Sequence, residues 1–326
     1  MKTLVTGVAG FIGFHTAIRL LDRGGEVVGI DSINDYYSVS LKRARLEKLL
    51  ARDGFSFHKL DLSDRNTYAK TETAIKGVTR TVHLAAQAGV RHSIDHPFDY
   101  VDSNLVAHLT ILELCRHQPN FEHLVFASSS SVYGGNRKLP FSIEDRTDSP
   151  ISLYAATKRA NEHMSYSYAH LYGLPQTGLR FFTVYGPWGR PDMALYIFAD
   201  SIINSRPIEV FNHGEMKRDF TFIDDIVTGV VAAHDNPPAR ADGPPYKIYN
   251  IGNNRSEPLM RLIGVLEGAL GRKAEIVQRP MQMGDVKESF ADIDAIQTDL
   301  GFEPTTSIDV GVPKFVEWFK SYNGYD

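Results

Sequence analysis

The sequence predicts a doubly wound α/β fold, a parallel sheet covered by helices, followed by a smaller mixed α/β region. Two patterns carry that prediction. The first half alternates short, nearly continuous apolar runs with longer segments of helical period, as strands buried on both faces require. The second half loses this rhythm. Pro and Gly punctuate it at Gly186-Pro187-Trp188-Gly189-Arg190-Pro191, at Asn236-Pro237-Pro238 and at Gly243-Pro244-Pro245.

In order, the strand candidates are Lys2–Thr6, Val27–Ile30, Phe55–Leu60, Thr81–Leu84, Leu124–Ala127 and Thr177–Arg180. Beyond them, short strands at Ile208–Phe211 and Lys247–Ile251 mix with helices near Asp224–Ala233, Leu259–Leu270 and Val312–Ser321. The expected division is a first domain over 1–180 and a second over 181–326, with segments near 224–235 and 246–252 able to return to the first. A chain of 326 residues buries enough surface to need neither disulfides nor metals. With 35 basic and 39 acidic residues, the net charge of −4 excludes a general basic surface for nucleic acid. Cys115, the only cysteine, sits in the apolar stretch Ile111-Leu112-Glu113-Leu114-Cys115, which excludes an intramolecular disulfide and a thiolate zinc site; no metal is expected. No apolar run reaches membrane-span length, and no signal-peptide pattern precedes Lys2, so the chain reads as cytoplasmic with no membrane partner.

After the first strand comes Gly7-Val8-Ala9-Gly10-Phe11-Ile12-Gly13, then a helix-period run to about Leu21. Such a turn lets backbone approach a pyrophosphate, and the helix N-terminus behind it offers unpaired N–H groups. A glycine turn that merely packs a helix on a strand would look the same, but this one has company. Asp31 ends the second strand, where a carboxylate accepts both ribose hydroxyls and repels a 2′-phosphate, which favours NAD over NADP. Asp61-Leu62 closes the third strand, with Asp61 open to two readings, a reach to the adenine amino group or a helix cap. Together these features predict a Rossmann-type dinucleotide site.

The fifth strand runs into Ser128-Ser129-Ser130-Ser131, and downstream lies Tyr154-Ala155-Ala156-Thr157-Lys158, opening a helix that reaches Gly173. Tyr154 and Lys158 share one helix face. Oxidising an alcohol with NAD requires a base on the hydroxyl proton, and a tyrosine pKa near 10 is too high for that role unaided. A neighbouring ammonium and the nicotinamide charge favour phenolate, while a serine hydroxyl orients the substrate oxygen.

This motif set resembles the extended short-chain dehydrogenase/reductase family over nearly the whole chain. Its nucleotide-sugar branch is similar at His83-Leu84-Ala85-Ala86-Gln87-Ala88-Gly89, at Asn104, at Leu179–Pro187 and at Arg218-Asp219-Phe220 followed by Ile223-Asp224-Asp225. The resemblance implies the serine role for Ser129, the base for Tyr154, and the ribose and pKa role for Lys158. It adds Ala85, Arg91 and Asn104 to the cofactor contacts, and places Arg218 and Asp285 near a uridine diphosphate. Gln282 stands where an arginine is usual, with Arg279 as a substitute cation. Two long helices, around Tyr100–Arg116 and Leu153–Tyr172, resemble the family's dimerising pair and imply a homodimer.

The sugar dehydratases of the family place Asp-Glu after the catalytic hydroxyl residue; here Ser130 and Ser131 stand there, which disfavours dehydration. The segments Tyr185–Ala194 and Asn212–Phe220 look like the UDP-glucuronate 4-epimerases. Arg190 gives a physical reason, because a planar guanidinium matches a C6 carboxylate and a hydroxymethyl group leaves it unpaired. An exposed loop cation or a phosphate contact is the plainer reading of Arg190. Thr183, Ser130 and Ser131 add hydroxyl donors around the same group, and Arg91 is a second candidate for the carboxylate. The expectation is NAD-dependent 4-epimerisation of a UDP-hexuronate through a 4-keto sugar. The alternatives are UDP-glucose 4-epimerase, UDP-glucuronate decarboxylase and a non-catalytic NAD sensor.

Overall fold

The computed structural model describes residues 1–240, 243–282 and 284–325. Its first half comprises β1 (Lys2–Thr6), α1 (Phe11–Asp22), β2 (Glu26–Asp31), α2 (Val39–Leu50), β3 (Phe55–Lys59), α3 (Tyr68–Ala74) and β4 (Arg80–His83). Then follow the short helices α4 (His92–Asp95) and α5 (Pro97–Tyr100), α6 (Ala107–His117), β5 (His123–Ser129), α7 (Leu153–Tyr172) and β6 (Gln176–Phe181). The second half contains β7 (Thr183–Tyr185), α8 (Ala194–Ile203), β8 (Ile208–Phe211), β9 (Lys217–Arg218), β10 (Phe220–Phe222), α9 (Ile223–Asp235) and β11 (Tyr246–Ile251). It closes with β12 (Glu257–Pro258), α10 (Leu259–Leu270), β13 (Ile276–Arg279), β14 (Glu288–Ser289), α11 (Asp294–Leu300) and α12 (Ile308–Asn323).

Seven strands form one parallel sheet in the order β11-β6-β5-β4-β1-β2-β3. The middle four residues of β2 are buried and read as an apolar run, whereas β6 is buried throughout although it carries Gln176, Thr177 and Arg180. β11 comes from far along the chain yet pairs with β6 from Tyr246↔Gln176 to Ile251↔Phe181, and α9 packs on α1. The remaining strands make three small sheets, β10-β7, β12-β9-β14 and β13-β8. Most are too short for a period-two pattern. Asp219, fully buried between β9 and β10, gathers them: its carboxylate accepts N–H groups of Asn253 (2.6 Å), Asn254 (3.1 Å) and Ala291 (3.1 Å) and the Thr221 hydroxyl (2.8 Å).

The helix expected over Tyr100–Arg116 is not continuous. A π-helical stretch over Val101–Val106 separates α5 from α6, and Asn104 is its buried member. The widened turn aims Asn104 inward, where its amide bonds the backbone N and O of Gln87 (2.8 and 3.1 Å) and the Thr157 hydroxyl (3.0 Å).

Several histidines are buried with neutral partners. His83 meets the Thr6 hydroxyl at 2.7 Å, His123 the Thr177 hydroxyl at 2.9 Å, and His15 the Pro187 carbonyl at 3.0 Å. Burial pulls His15 and His123 down to about 4 and His83 to about 3. The unfolded chain takes up these protons near pH 6.5 and the folded chain does not, so stability falls as pH drops from about 6.5 toward 4. Each imidazole contributes a slope of up to about 1.4 kcal/mol per pH unit in that window. Urea midpoints measured across it should fall steadily, and His123→Gln should flatten the fall. A midpoint that stays constant from pH 6.5 to 4.5 would contradict the neutral buried imidazoles.

Candidate functional site

The strands end on one side of the sheet, and a cavity of about 990 Å³ runs along those ends. The glycine turn forms its floor. Gly7 has φ +66°, and a Cβ there would lie 2.8 Å from Ala85 N; a Cβ on Gly13 would lie 2.2 Å from Gly7 O. α1 begins beside the cavity with no side-chain cap and no acid in its first turn. Its free N–H groups and positive dipole end therefore meet whatever occupies the floor. Asp31 stands at the next strand end, its Oδ2 accepting Ala9 N (3.0 Å) and its Oδ1 accepting Ile33 N (2.8 Å). Burial pushes its carboxyl up, while those N–H groups and Lys42 oppose the shift. A helix end for a pyrophosphate, backed by an anchored carboxylate for a ribose, fits a dinucleotide.

The other expected cofactor residues divide. Gly10, Phe11, Ile12, Leu62 and Ala85 line the cavity, and so does Asp61, whose Oδ1 also accepts the Ser63 N–H (2.9 Å) and hydroxyl (2.7 Å). Asn104 is not in the wall; it is 2% exposed and braces Gln87, which is. Arg91 is in the wall but turns toward the C-terminal region. Its guanidinium lies 5.1 Å from the Phe211 ring centre and 3.5 Å from Asp285.

α7 starts at Ser152, whose hydroxyl accepts Ala155 N at 3.1 Å, and this cap sets Tyr154 and Lys158 in the cavity wall opposite the end of β5. Ser129 donates to Ser131 Oγ (3.1 Å) and accepts Ser131 N (3.2 Å). Burial raises the Tyr154 phenol, while the Ser129 hydroxyl and then the Arg190 charge draw it back down. The Arg190 charge therefore reaches the phenol across the cavity. Lys158, one helical turn along the same face, donates to Ala127 O at 3.0 Å, and burial pulls its ammonium down to about 8.

Ser130, Ser131, Thr183, Arg190, Arg218 and Asp285 all line the same cavity. Asp192 chelates the Arg190 guanidinium through both oxygens and also accepts the Tyr36 hydroxyl (3.1 Å). Burial alone would lower the Arg190 pKa, but Asp192 outweighs it and keeps the group charged, so, contrary to the expectation above, Arg190 has a carboxylate partner whatever stands at C6. Arg218 meets Asp285 at 3.1 Å. Gln282 is in the wall with its Oε1 buried and without a hydrogen-bond partner among the described residues. Arg279 is not itself in the wall: β13 lies against β8, and its guanidinium is bound to Glu209 (2.8 Å), which is.

Sequence reasoning missed Tyr36, Tyr37 and Lys42, all in the wall. Their signal is an aromatic pair in a polar turn directly after Asp31. It also missed the apolar end formed by Ile197, Phe198, Phe211 and Met216, which three separate segments contribute without any common spacing. At the rim, His92, His96 and Asp99 converge. The two imidazoles stack at 4.2 Å with 17° between planes, so no ion can lie in both ring planes.

Residues 3–252 match the model of the NAD dependent epimerase/dehydratase family. The chain is 46% identical to a probable UDP-glucuronate 4-epimerase of Rhizobium meliloti, over 98% of this chain and 97% of that one. Among solved structures, it resembles UDP-glucuronic acid 4-epimerase from Bacillus cereus in complex with UDP-glucuronic acid and NAD (TM-score 0.90, 32% identity, 99% and 100% of the two chains). UDP-glucose 4-epimerase of Thermotoga maritima is also similar (TM-score 0.87, 28% identity, 99% and 100%). A parallel sheet with a glycine turn, and a serine, a tyrosine and a lysine at its strand ends, thus coincides with likeness along nearly the whole chain: the protein belongs to the NAD dependent epimerase/dehydratase family.

Proposed function

We propose that this protein is an NAD-dependent isomerase that interconverts UDP-glucuronate and UDP-galacturonate. The observation that carries the uronate is Arg190, a charged guanidinium in the wall of the cavity that also holds Ser129, Tyr154 and Lys158. The relatives of that name support it. Gly7, Gly10, Phe11, Ile12, Gly13, Asp31, Asp61, Leu62 and Ala85 hold the NAD, with Lys158 and Tyr154 at its reactive end. When bound, NAD would supply the hydride acceptor and donor for sugar C4.

The chain's own groups manage the proton and the sugar. Tyr154 takes the O4 proton as the alcohol becomes a ketone and gives it back at the end of the cycle. Ser129 orients O4. Arg218 and Asp285, joined by Arg91, hold the nucleotide diphosphate end, and Gln282 offers its unpartnered amide there. Arg190, Ser130, Ser131 and Thr183 hold C6. A 4-keto uronate is a β-keto acid and loses CO₂ when its C5–C6 bond aligns with the carbonyl π system. A carboxylate clamped near the ring plane resists that alignment, which separates this reading from a decarboxylase.

A cytoplasmic homodimer is part of the proposal. Phe98, Val101 and Leu109 expose apolar side chains along α5, the π-helical stretch and α6. Cys115, the single thiol, is buried and unpaired, as suits a reducing compartment.

Three outcomes test this reading. Tyr154→Phe should slow interconversion by about 10²–10⁴-fold while UDP binding stays near wild type; near wild-type turnover would remove the base. NAD should bind more tightly than NADP, and Asp31→Ser should narrow the gap. A wild-type protein that prefers NADP would overturn that assignment. Arg190→Met should damage UDP-glucuronate turnover more than turnover of UDP-glucose, by about 2–5 kcal/mol of transition-state binding. Equal loss for both sugars would make Arg190 a phosphate contact.

A further inference from the structure

The loop that delivers Arg190 is held in an unrelaxed shape. Trp188, two residues earlier, has φ +61°, in the left-handed region that an indole-bearing residue rarely occupies. Its ring is wedged between Phe14 of α1 (5.6 Å between centres) and Trp318 and Tyr322 of α12 (both 5.4 Å). The carbonyls of three successive residues of this loop are bound by side chains from the cofactor half. His15 bonds Pro187 O at 3.0 Å, and Arg45 on α2 takes the next two.

Arg45 is 0% exposed and pairs with no carboxylate among the described residues. Its five N–H donors are nevertheless all placed. Nε and Nη2 donate to Trp188 O (3.2 and 2.7 Å), and Nη2 also to Gly189 O (3.2 Å). Nη1 donates to Ala9 O in the glycine turn and to the Tyr37 hydroxyl, both at 2.8 Å. Burying a cation with no direct ion pair is costly, even with the Asp31 charge nearby, and an apolar side chain of similar size would fill the space more cheaply. What such a side chain lacks is a fork that fixes two consecutive carbonyls. Holding Gly189 O fixes the peptide plane that enters Arg190, and holding Ala9 O fixes the loop against the turn whose N–H is bound by Asp31.

We propose that Arg45 is a positioning residue for sugar specificity: it locks the Trp188-Gly189 backbone to the glycine turn so that Arg190 presents its guanidinium to the substrate carboxylate. This rests on the reading of Arg190 as the carboxylate's partner. Arg45 touches neither sugar nor nucleotide; it is absent from the cavity wall. Its effect therefore shows in the choice between a uronate and a neutral sugar, and it depends on Arg190 being present.

The test is a cycle of Arg45→Lys, Arg190→Met and the double variant, each purified with NAD. Calorimetry gives the affinity ratio of UDP-glucuronate to UDP-glucose, and thermal midpoints report folding. Lysine keeps the charge but cannot hold two carbonyls in a fixed fork. Arg45→Lys should lower the ratio by about tenfold in the wild-type background and leave it unchanged where Arg190 is already methionine. A merely structural Arg45 lowers the thermal midpoint without moving the ratio. An unmoved ratio in Arg45→Lys, with Arg190→Met lowering it, overturns the proposal and leaves the Arg190 reading standing. An unmoved ratio in Arg190→Met overturns both. An equal drop in both backgrounds shows that Arg45 does not act through Arg190, which also overturns the proposal. If Arg45→Lys gives no folded protein, His15→Phe frees the Pro187 carbonyl of the same loop, and the same cycle decides.

Discussion

The catalytic geometry hangs on a buried carboxylate that touches no substrate. Glu162 lies one helical turn beyond Lys158 on α7, and its side chain is 1% exposed. It accepts Nε and Nη2 of Arg180 on β6 (2.8 and 2.9 Å), Nη1 of Arg159 (2.6 Å) and the Ser128 hydroxyl on β5 (2.6 Å). Arg180 also donates to the Tyr133 hydroxyl (3.0 Å), which donates to Asn250 of β11 (2.6 Å). Such a pair adds little net stability over an apolar pair, because desolvation offsets its attraction. Its effect is on register. If α7 slid or rotated, it would strand Arg180 uncompensated in the core, at a cost of about 3–5 kcal/mol. Ser128 and Ser129 face opposite ways on the strand, so the bond that seats α7 on Ser128 also sets Tyr154 opposite Ser129.

The cations of the cavity wall share a second constraint. Arg190 is held by Asp192, and Arg218 and Arg91 share Asp285. Each of these three arginines is thus already oriented by a carboxylate. An incoming anion then meets a guanidinium with a fixed direction and pays less to immobilise it. The same pairing lowers the cost of keeping these groups partly desolvated while the cavity is empty.

How much of this the sequence discloses depends on how local the determining contact is. Most strands of the large sheet read directly, because burial on both faces leaves apolar runs such as Leu4–Val5, Val27–Ile30 and Leu124–Ala127. The glycine turn, Asp31, Ser129 and the Tyr154–Lys158 pair are equally legible, since each is a fixed spacing at a strand end or on one helix face. The C-terminal strands were harder: Lys217–Arg218 and Glu288–Ser289 have two residues each, and a buried aspartate rather than an apolar pattern holds them. The break in the helix before α6 was invisible because it follows from where Asn104 finds partners on Gln87 and Thr157. Arg45 was hidden for a similar reason. α2 reads as a charged surface helix, and only the fold brings Trp188 and Ala9 to its guanidinium.

The Tyr154–Lys158 spacing does not disclose every charge near the phenol. Spacing places an ammonium one turn from the phenol; the fold seats it on Ala127 O and brings a second charge, Arg190, toward Tyr154 from a loop in the other half of the chain. On the proposed reading this has a consequence for a reaction in which the sugar must turn over between its two half-steps. A bare, desolvated arginine would grip the carboxylate too firmly in one orientation, stabilising a bound ground state as much as the transition state. Arg190 is not bare. With Nε and Nη2 committed to Asp192, it offers the sugar only part of its fork, beside hydroxyls at Ser130, Ser131 and Thr183 that rotate at little cost. The diphosphate end, by contrast, meets two arginines on one shared aspartate. Holding the nucleotide with more charge than the sugar is what lets one ring present both faces while the molecule stays bound.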